Sequence, residues 1–258
     1  MSQPVLYSEL PWPEAERRVR EGAPLFLPLG ATEQHGRHMA LGTDLVLPTA
    51  IAVRAARRVG GLVLPGIAYG NRSQPKTGGG PAFPGTINIT ANTFSLIVRD
   101  IICDLHRQKA RRIVTVNGHY ENVWPTIEGI ELALDAIGRD KARDLTILRV
   151  DHWDMIRKET LERVFPDGYP GIELEHASVL ETSMMLALRP ELVDLTQAVH
   201  DGPASFLPYD RYPEPPAEVP ASGVLSLTEG SAAEKGEWLL KDCEDGIVNI
   251  VNREFPSG

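Results

Sequence analysis

Short apolar runs alternate along the chain with longer stretches in which apolar residues recur every three or four positions. Residues 23–29 (APLFLPL) form an apolar run closed by Gly30 and read as a buried strand, with Pro28 the one residue that argues against a central place in a sheet. Residues 62–64, 112–116 and 145–150 read as further strands, the third run closed by Asn117-Gly118. Between and after them, residues 44–59, 91–109, 123–137 and 174–188 have helical spacing. Residues 231–255 close the chain with Trp238, Leu239, Cys243, Ile247 and Ile250 on one helical face. Residues 71–85 and 201–223 are too rich in glycine or proline for regular structure and read as loops. Strands alternating with helices predict an α/β fold with a mostly parallel sheet covered on both faces. No linker divides the chain, so residues 1–258 are expected to form a single domain.

Two segments carry most of the candidate chemistry. One runs from Gly30 through Glu33, His35 and His38 to Asp44, and the other is Asn117-Gly-His-Tyr-Glu-Asn122. Each follows a strand directly, and ligands in open α/β sheets bind outside the carboxyl ends of strands. Glu33 and His35 are two residues apart, as are His119 and Glu121. In extended backbone such pairs point the same way. With Asp44 they make five candidate ligands of mixed nitrogen and oxygen character, which suits Zn²⁺ or Mn²⁺ better than Ca²⁺. The three carboxylates Glu33, Asp44 and Glu121, together with one shared hydroxide, balance the charge of two divalent cations, with Asp44 the natural bridge. Asp44 could equally be a plain helix cap, and His38 is as readily structural as ligating. A third segment, Glu173-Leu-Glu-His-Ala-Ser178 followed by Glu181, places Glu175 and His176 at an expected helix start. His176 there could move protons near neutral pH, or the acids could simply complement the helix dipole.

The pieces GATEQHG, GTD, GGGPAFPGT, NGHYEN and EHASVLETS, with SELPW near the start and EKGEWLL and REFP near the end, resemble the creatininase (creatinine amidohydrolase) family almost end to end. NGHYEN resembles the creatininase subgroup itself. The resemblance implies a three-layer α/β/α sandwich with a mostly parallel sheet, assembled as a homohexamer. It implies that Glu33 and His119 hold one metal, that His35 and Glu121 hold the other, and that Asp44 bridges them. Two Zn²⁺ or Mn²⁺ ions per subunit are the implied cofactors. His176 is implied as the proton-transfer residue, with Glu121 beside it in catalysis. Thr77, Tyr120, Trp153, Ile172, Glu173 and His176 fall on substrate-pocket positions. At 172 and 173 the family's creatinine-hydrolysing members carry Trp and Asp, so this chain departs from the pattern at the pocket wall, where Ile cannot stack on a flat ring. The implied activity is opening of a cyclic amide, creatinine to creatine. The alternatives are the same metal chemistry on a lactone, a cyclic sugar-derived ketone or a formamide, and a non-enzymatic metal-binding or assembly protein.

Composition narrows the partners. With 26 Lys and Arg against 35 Asp and Glu, the formal charge is −9, and no basic stripe points to nucleic acid or an anionic membrane. No apolar stretch is long enough to span a bilayer and no leader is visible, so a cytoplasmic protein acting on a small molecule is expected. The two cysteines, Cys103 and Cys243, are expected to be reduced.

Overall fold

The computed structural model describes residues 5–213 and 219–256. Helix α1 (Trp12–Arg20) leads into β1 (Leu25–Leu29), α2 (Thr43–Val59) and β2 (Leu62–Val63). The short α3 (Pro75–Gly78), then α4 (Ala91–Arg107), β3 (Arg112–Asn117), α5 (Val123–Ile137) and β4 (Thr146–Asp151) follow. The chain continues through α6 (Lys158–Val164), α7 (Val179–Leu188) and α8 (Ala233–Glu254). The four strands form one parallel sheet in the order β2-β1-β3-β4.

The two core strands are apolar on both faces because helices cover both. Phe26 of β1 and Val114 and Val116 of β3 pack with Leu47 and Ile51 of α2, Met184 of α7, and Leu239 and Ile247 of α8. Leu25, Leu27 and Leu29 of β1 and Ile113 of β3 face the other way, onto Phe94, Val98 and Ile102 of α4 and Ala133 of α5. This alternation of side chains along buried parallel strands gives the three-layer sandwich. Pro28 sits in central β1 without breaking the ladder. Its missing N–H would point toward β2, which ends at Val63, and on that side the Pro28 carbonyl still accepts from the Ile67 N–H at 3.0 Å.

Three features differ from the periodicity reading. Helix α7 begins at Val179, so Glu175 and His176 precede it rather than open it. Ile172–Leu174 form a 3₁₀ turn, and Ala177 stands in the left-handed region (φ 57°), which interrupts a continuous helix. The 71–85 segment contains α3. Helices α1 and α6 are short and charge-rich, so their narrow apolar faces escape a period count. In α1 only Ala15, Arg18 and Val19 are buried, while Arg17 pairs with Glu14 and Glu21. Cys103 and Cys243 are free. Among the described residues no helix is long and apolar enough to cross a membrane.

Candidate metal centre

β1 and β3 end side by side, Leu29 level with Asn117, so the segments carrying Glu33–His35 and His119–Glu121 leave the sheet along one edge. Both cross the first turn of α2 at minimal distance. A Cβ on Gly30 would lie 2.7 Å from the Asp44 carbonyl oxygen, and one on Gly118 would lie 2.3 Å from it. These glycines allow an approach that no larger residue permits. Asn122 ties the edge together: its Oδ1 accepts from the Asn71 N–H at 2.8 Å and its Nδ2 donates to the Gly30 carbonyl at 3.1 Å. Asn117 holds the His119 backbone from both sides and donates to Asp151 Oδ1 at 3.0 Å, so the tip of β4 also fixes this loop.

These elements bring two groups of ligand atoms together, the buried Glu33, Asp44 and His119 in one and the buried His35 and His176 with the half-buried Glu181 in the other. His119 Nδ1 lies 3.0 Å from Glu33 Oε2 and 3.1 Å from Asp44 Oδ2. His35 Nε2 lies 2.9 Å from Asp44 Oδ1 and 3.6 Å from Glu181 Oε2. Asp44 therefore offers one oxygen to each group, and it does not cap its helix. Glu33 Oε1 is buried with no hydrogen-bond partner among the described residues, and the buried His35 Nε2 and Asp44 Oδ2 have ionic neighbours but none in hydrogen-bond geometry. A buried donor or acceptor left in that state costs about 1–3 kcal/mol, more when charged. Divalent cations satisfy such atoms, and the mixture of imidazole and carboxylate suits Zn²⁺ or Mn²⁺. The residues present thus fit a pair of cations.

The geometry departs from the expected pairing of His35 with Glu121. Two-residue alternation holds in extended chain, but Tyr120–Asn122 is a 3₁₀ turn, which swings Glu121 away from His35. Glu121 Oε2 instead lies 3.4 Å from His119 Nε2. Its Oε1 accepts from the Gln74 N–H at 2.6 Å and, in a very short bond, from the Thr77 hydroxyl. The carboxylate beside His35 is Glu181, from the first turn of α7. The sequence places Glu181 in the right segment, but no local spacing connects it to His35.

The other sequence-selected residues divide. Thr77, Tyr120, Trp153, Ile172 and His176 line the cavity that contains the ligand atoms, whereas Glu173 is exposed and is not part of that lining. The Tyr120 and Trp153 rings are stacked, with centroids 6.1 Å apart. His176 Nε2 is 2.8 Å from the Gln34 carbonyl, and its ring lies 4.5 Å from that of His35. His38 turns away: its Nε2 meets the Thr182 hydroxyl at 3.0 Å, which makes it a tie between the first segment and α7.

Electrostatics within the centre are set by burial against pairing. Burial alone would lower the pKa of His35, but Asp44 and then Glu181 outweigh it and hold the imidazole well above its ordinary value. His119 is raised in the same way, burial being overcome by Glu121 and Glu33. Burial raises Glu33 and Glu121, while Asp44 is lowered because the two imidazoles outweigh its own burial. His176 is depressed to about 4, by burial first and the nearby His35 second. Without metal, the neighbouring carboxylates favour the protonated imidazoles of His35 and His119, and a cation must displace those protons. Loading the metal-free protein at pH 7 should release protons, with affinity rising as pH rises. Calorimetry in buffers of different ionisation enthalpy measures this, and proton release near zero would show that the imidazoles are already neutral.

The profile of the family described as creatininase, creatinine amidohydrolase, matches residues 8–251. The chain is 45% identical to the creatinine amidohydrolase of Pseudomonas putida, with 99% of each covered. It is 31% identical to the mycofactocin precursor peptide peptidase of Mycobacterium ulcerans over 90% of the chain and 86% of that protein. It is 25% identical to the 3-dehydro-scyllo-inosose hydrolase of Thermotoga maritima over 98% of the chain and 86% of that protein. Among solved structures, a creatininase superposes with a TM-score of 0.97 at 45% identity, with both chains covered in full. A manganese form of creatininase superposes at 0.96 with 45% identity, and a Zn–Zn form of a creatininase mutant at 0.96 with 44% identity, each covering 99% of this chain and 100% of the other.

Proposed function

The chain belongs to the creatininase family, and from that premise we propose that it is a hydrolase of cyclic amides that works with two divalent cations and opens creatinine to creatine. The observation that carries the reading is Asp44, buried at the sheet edge with one oxygen toward His119 and the other toward His35. That is the arrangement a bridging carboxylate requires. The ligand set we assign is Glu33, Asp44 and His119 for one cation and His35, Asp44 and Glu181 for the other. Bound there, Zn²⁺ or Mn²⁺ would polarise the scissile carbonyl and lower the pKa of the attacking water.

The remaining residues act on the substrate. In ring opening, the water oxygen ends on the carbonyl carbon, the ring C–N bond breaks and the nitrogen gains a proton. His176 stands beside His35 with its Nε2 anchored on the Gln34 carbonyl, and so has a fixed ring from which to pass that proton. Glu121 is the second acid–base group. Thr77 and the Gln74 N–H fix its carboxylate at the edge of the ligand cluster rather than inside it. Tyr120 and Trp153 form the apolar entrance.

A second reading keeps the chemistry and changes the substrate, and Ile172 favours it. An aliphatic side chain lines the cavity where the resemblance implies an aromatic one over the ring. Turnover of creatinine, a five-membered lactone and a formamide by the Mn²⁺-loaded protein, beside an Ile172→Trp variant, separates the two. The creatinine reading expects turnover by the wild type and an improved KM, by about tenfold, in the variant. Preference for the lactone or formamide in both proteins would overturn it.

A further inference from the structure

One polar wall of the cavity is used by neither the metal ligands nor the proton path. His152 follows β4 directly, in the 3₁₀ turn His152–Met155, and lines the cavity together with Glu175. Each is only 2% exposed. Both ring nitrogens of His152 are buried and lack a hydrogen-bond partner among the described residues, and so does Glu175 Oε1. Neither side chain is loose. The His152 ring stands edge-on to Trp153, with centroids 5.2 Å apart, and its carbonyl accepts from Cys243 Sγ of α8 at 3.2 Å. The other Glu175 oxygen accepts from the Leu180 N–H at 2.9 Å. Burial keeps the His152 imidazole neutral, with its pKa lowered to about 4. It therefore presents one N–H donor and one bare acceptor nitrogen.

Three buried polar atoms on held side chains lack a hydrogen-bond partner among the described residues, and both residues line the cavity of the ligand cluster. We infer that His152 and Glu175 are specificity residues that bind the polar edge of the substrate ring, selecting cyclic amides that carry a second donor–acceptor edge, such as a cyclic guanidine, ureide or imide, over rings without one. A buried site built to hydrogen-bond its substrate discriminates strongly against an analogue that leaves its polar groups unpaired. An aromatic clamp, by contrast, selects flatness. With Ile172 in the wall, discrimination passes from stacking to hydrogen bonding. This inference rests on the hydrolase reading of the same site.

The test compares creatinine, which has such an edge, with γ-butyrolactone, which does not. Wild type, His152→Phe and His152→Asn are loaded with Mn²⁺ and checked for equal metal content and melting temperature. Turnover of both compounds and calorimetric binding of both are measured. We expect His152→Phe to weaken creatinine binding and raise its KM by about tenfold to a hundredfold while γ-butyrolactone changes by less than about twofold. His152→Asn, which keeps a donor and an acceptor, should recover part of the loss. Equal losses on both compounds, or no loss on either, would overturn the assignment. Should the wild type hydrolyse neither compound yet bind creatinine in a His152-dependent way, the hydrolase reading falls and the recognition wall stands. Creatinine turnover that is indifferent to His152 removes the recognition wall and leaves the hydrolase standing. Absence of both turnover and binding overturns both.

Discussion

Substituting Asp44 by Asn should lower creatinine hydrolysis by about a thousandfold or more and leave the purified protein with less than one tightly held divalent cation per chain. No other single change in the centre is expected to cost as much, because Asp44 places one oxygen 2.9 Å from His35 and the other 3.1 Å from His119. Losing Glu33 or Glu181 weakens one site, whereas losing Asp44 weakens both and leaves His35 and His119 facing each other across an uncompensated gap. The variant should fold. Asp44 makes no capping bond to α2, and Asn matches its shape, so the circular dichroism of the metal-free protein should be unchanged. Metal content and kcat/KM measured on one preparation decide the matter. A variant that keeps two cations and its turnover would remove Asp44 from the bridging position.

The second large effect concerns backbone rather than charge. Gly118→Ala should destabilise the protein by about 3 kcal/mol and weaken metal binding with it. The added Cβ would sit 2.3 Å from the Asp44 carbonyl oxygen and 2.7 Å from the Pro48 ring, and neither a helical backbone nor a proline ring can rotate aside. The collision pushes the His119 loop off the first turn of α2, so the geometry joining His119 to Asp44 fails at its support. Gly42→Ala is the control: nothing lies within 4 Å of its Cβ, and the change should stay within about 1 kcal/mol. Denaturant unfolding of the two variants measures the difference, and similar midpoints would show that the loop and helix can part without cost.

Sequence patterning revealed the parts of this fold that repeat a period over many residues. Val123–Ile137 is helical over the span its spacing predicts, and the parallel order of the strands agrees with their alternation with helices. Short charged helices such as α1 carry too few buried residues to show a period. The break before α7 depends on a left-handed Ala177, a residue with no composition signal for that conformation. In the centre, Glu33, His35, Asp44 and His119 were legible because each follows a strand end or opens the next helix. The place of Glu181 was not, because it is set by α7 packing beside His35, a contact between segments far apart in the chain. Spacing alone does not locate Glu121: two-residue alternation assumes extended backbone, and Tyr120–Asn122 is a turn that leaves its carboxylate beside His119 rather than His35. His152 stands alone in sequence, and only its unsatisfied burial distinguishes it.

The most direct test of the dinuclear hydrolase is to strip the protein of metal and titrate Mn²⁺ back while following creatinine ring opening. If the two cations act together, the stripped protein shows no turnover, one equivalent restores little, and the rate levels off at about two equivalents per chain. Activity in the stripped protein, or a plateau at one equivalent, would contradict a two-cation centre.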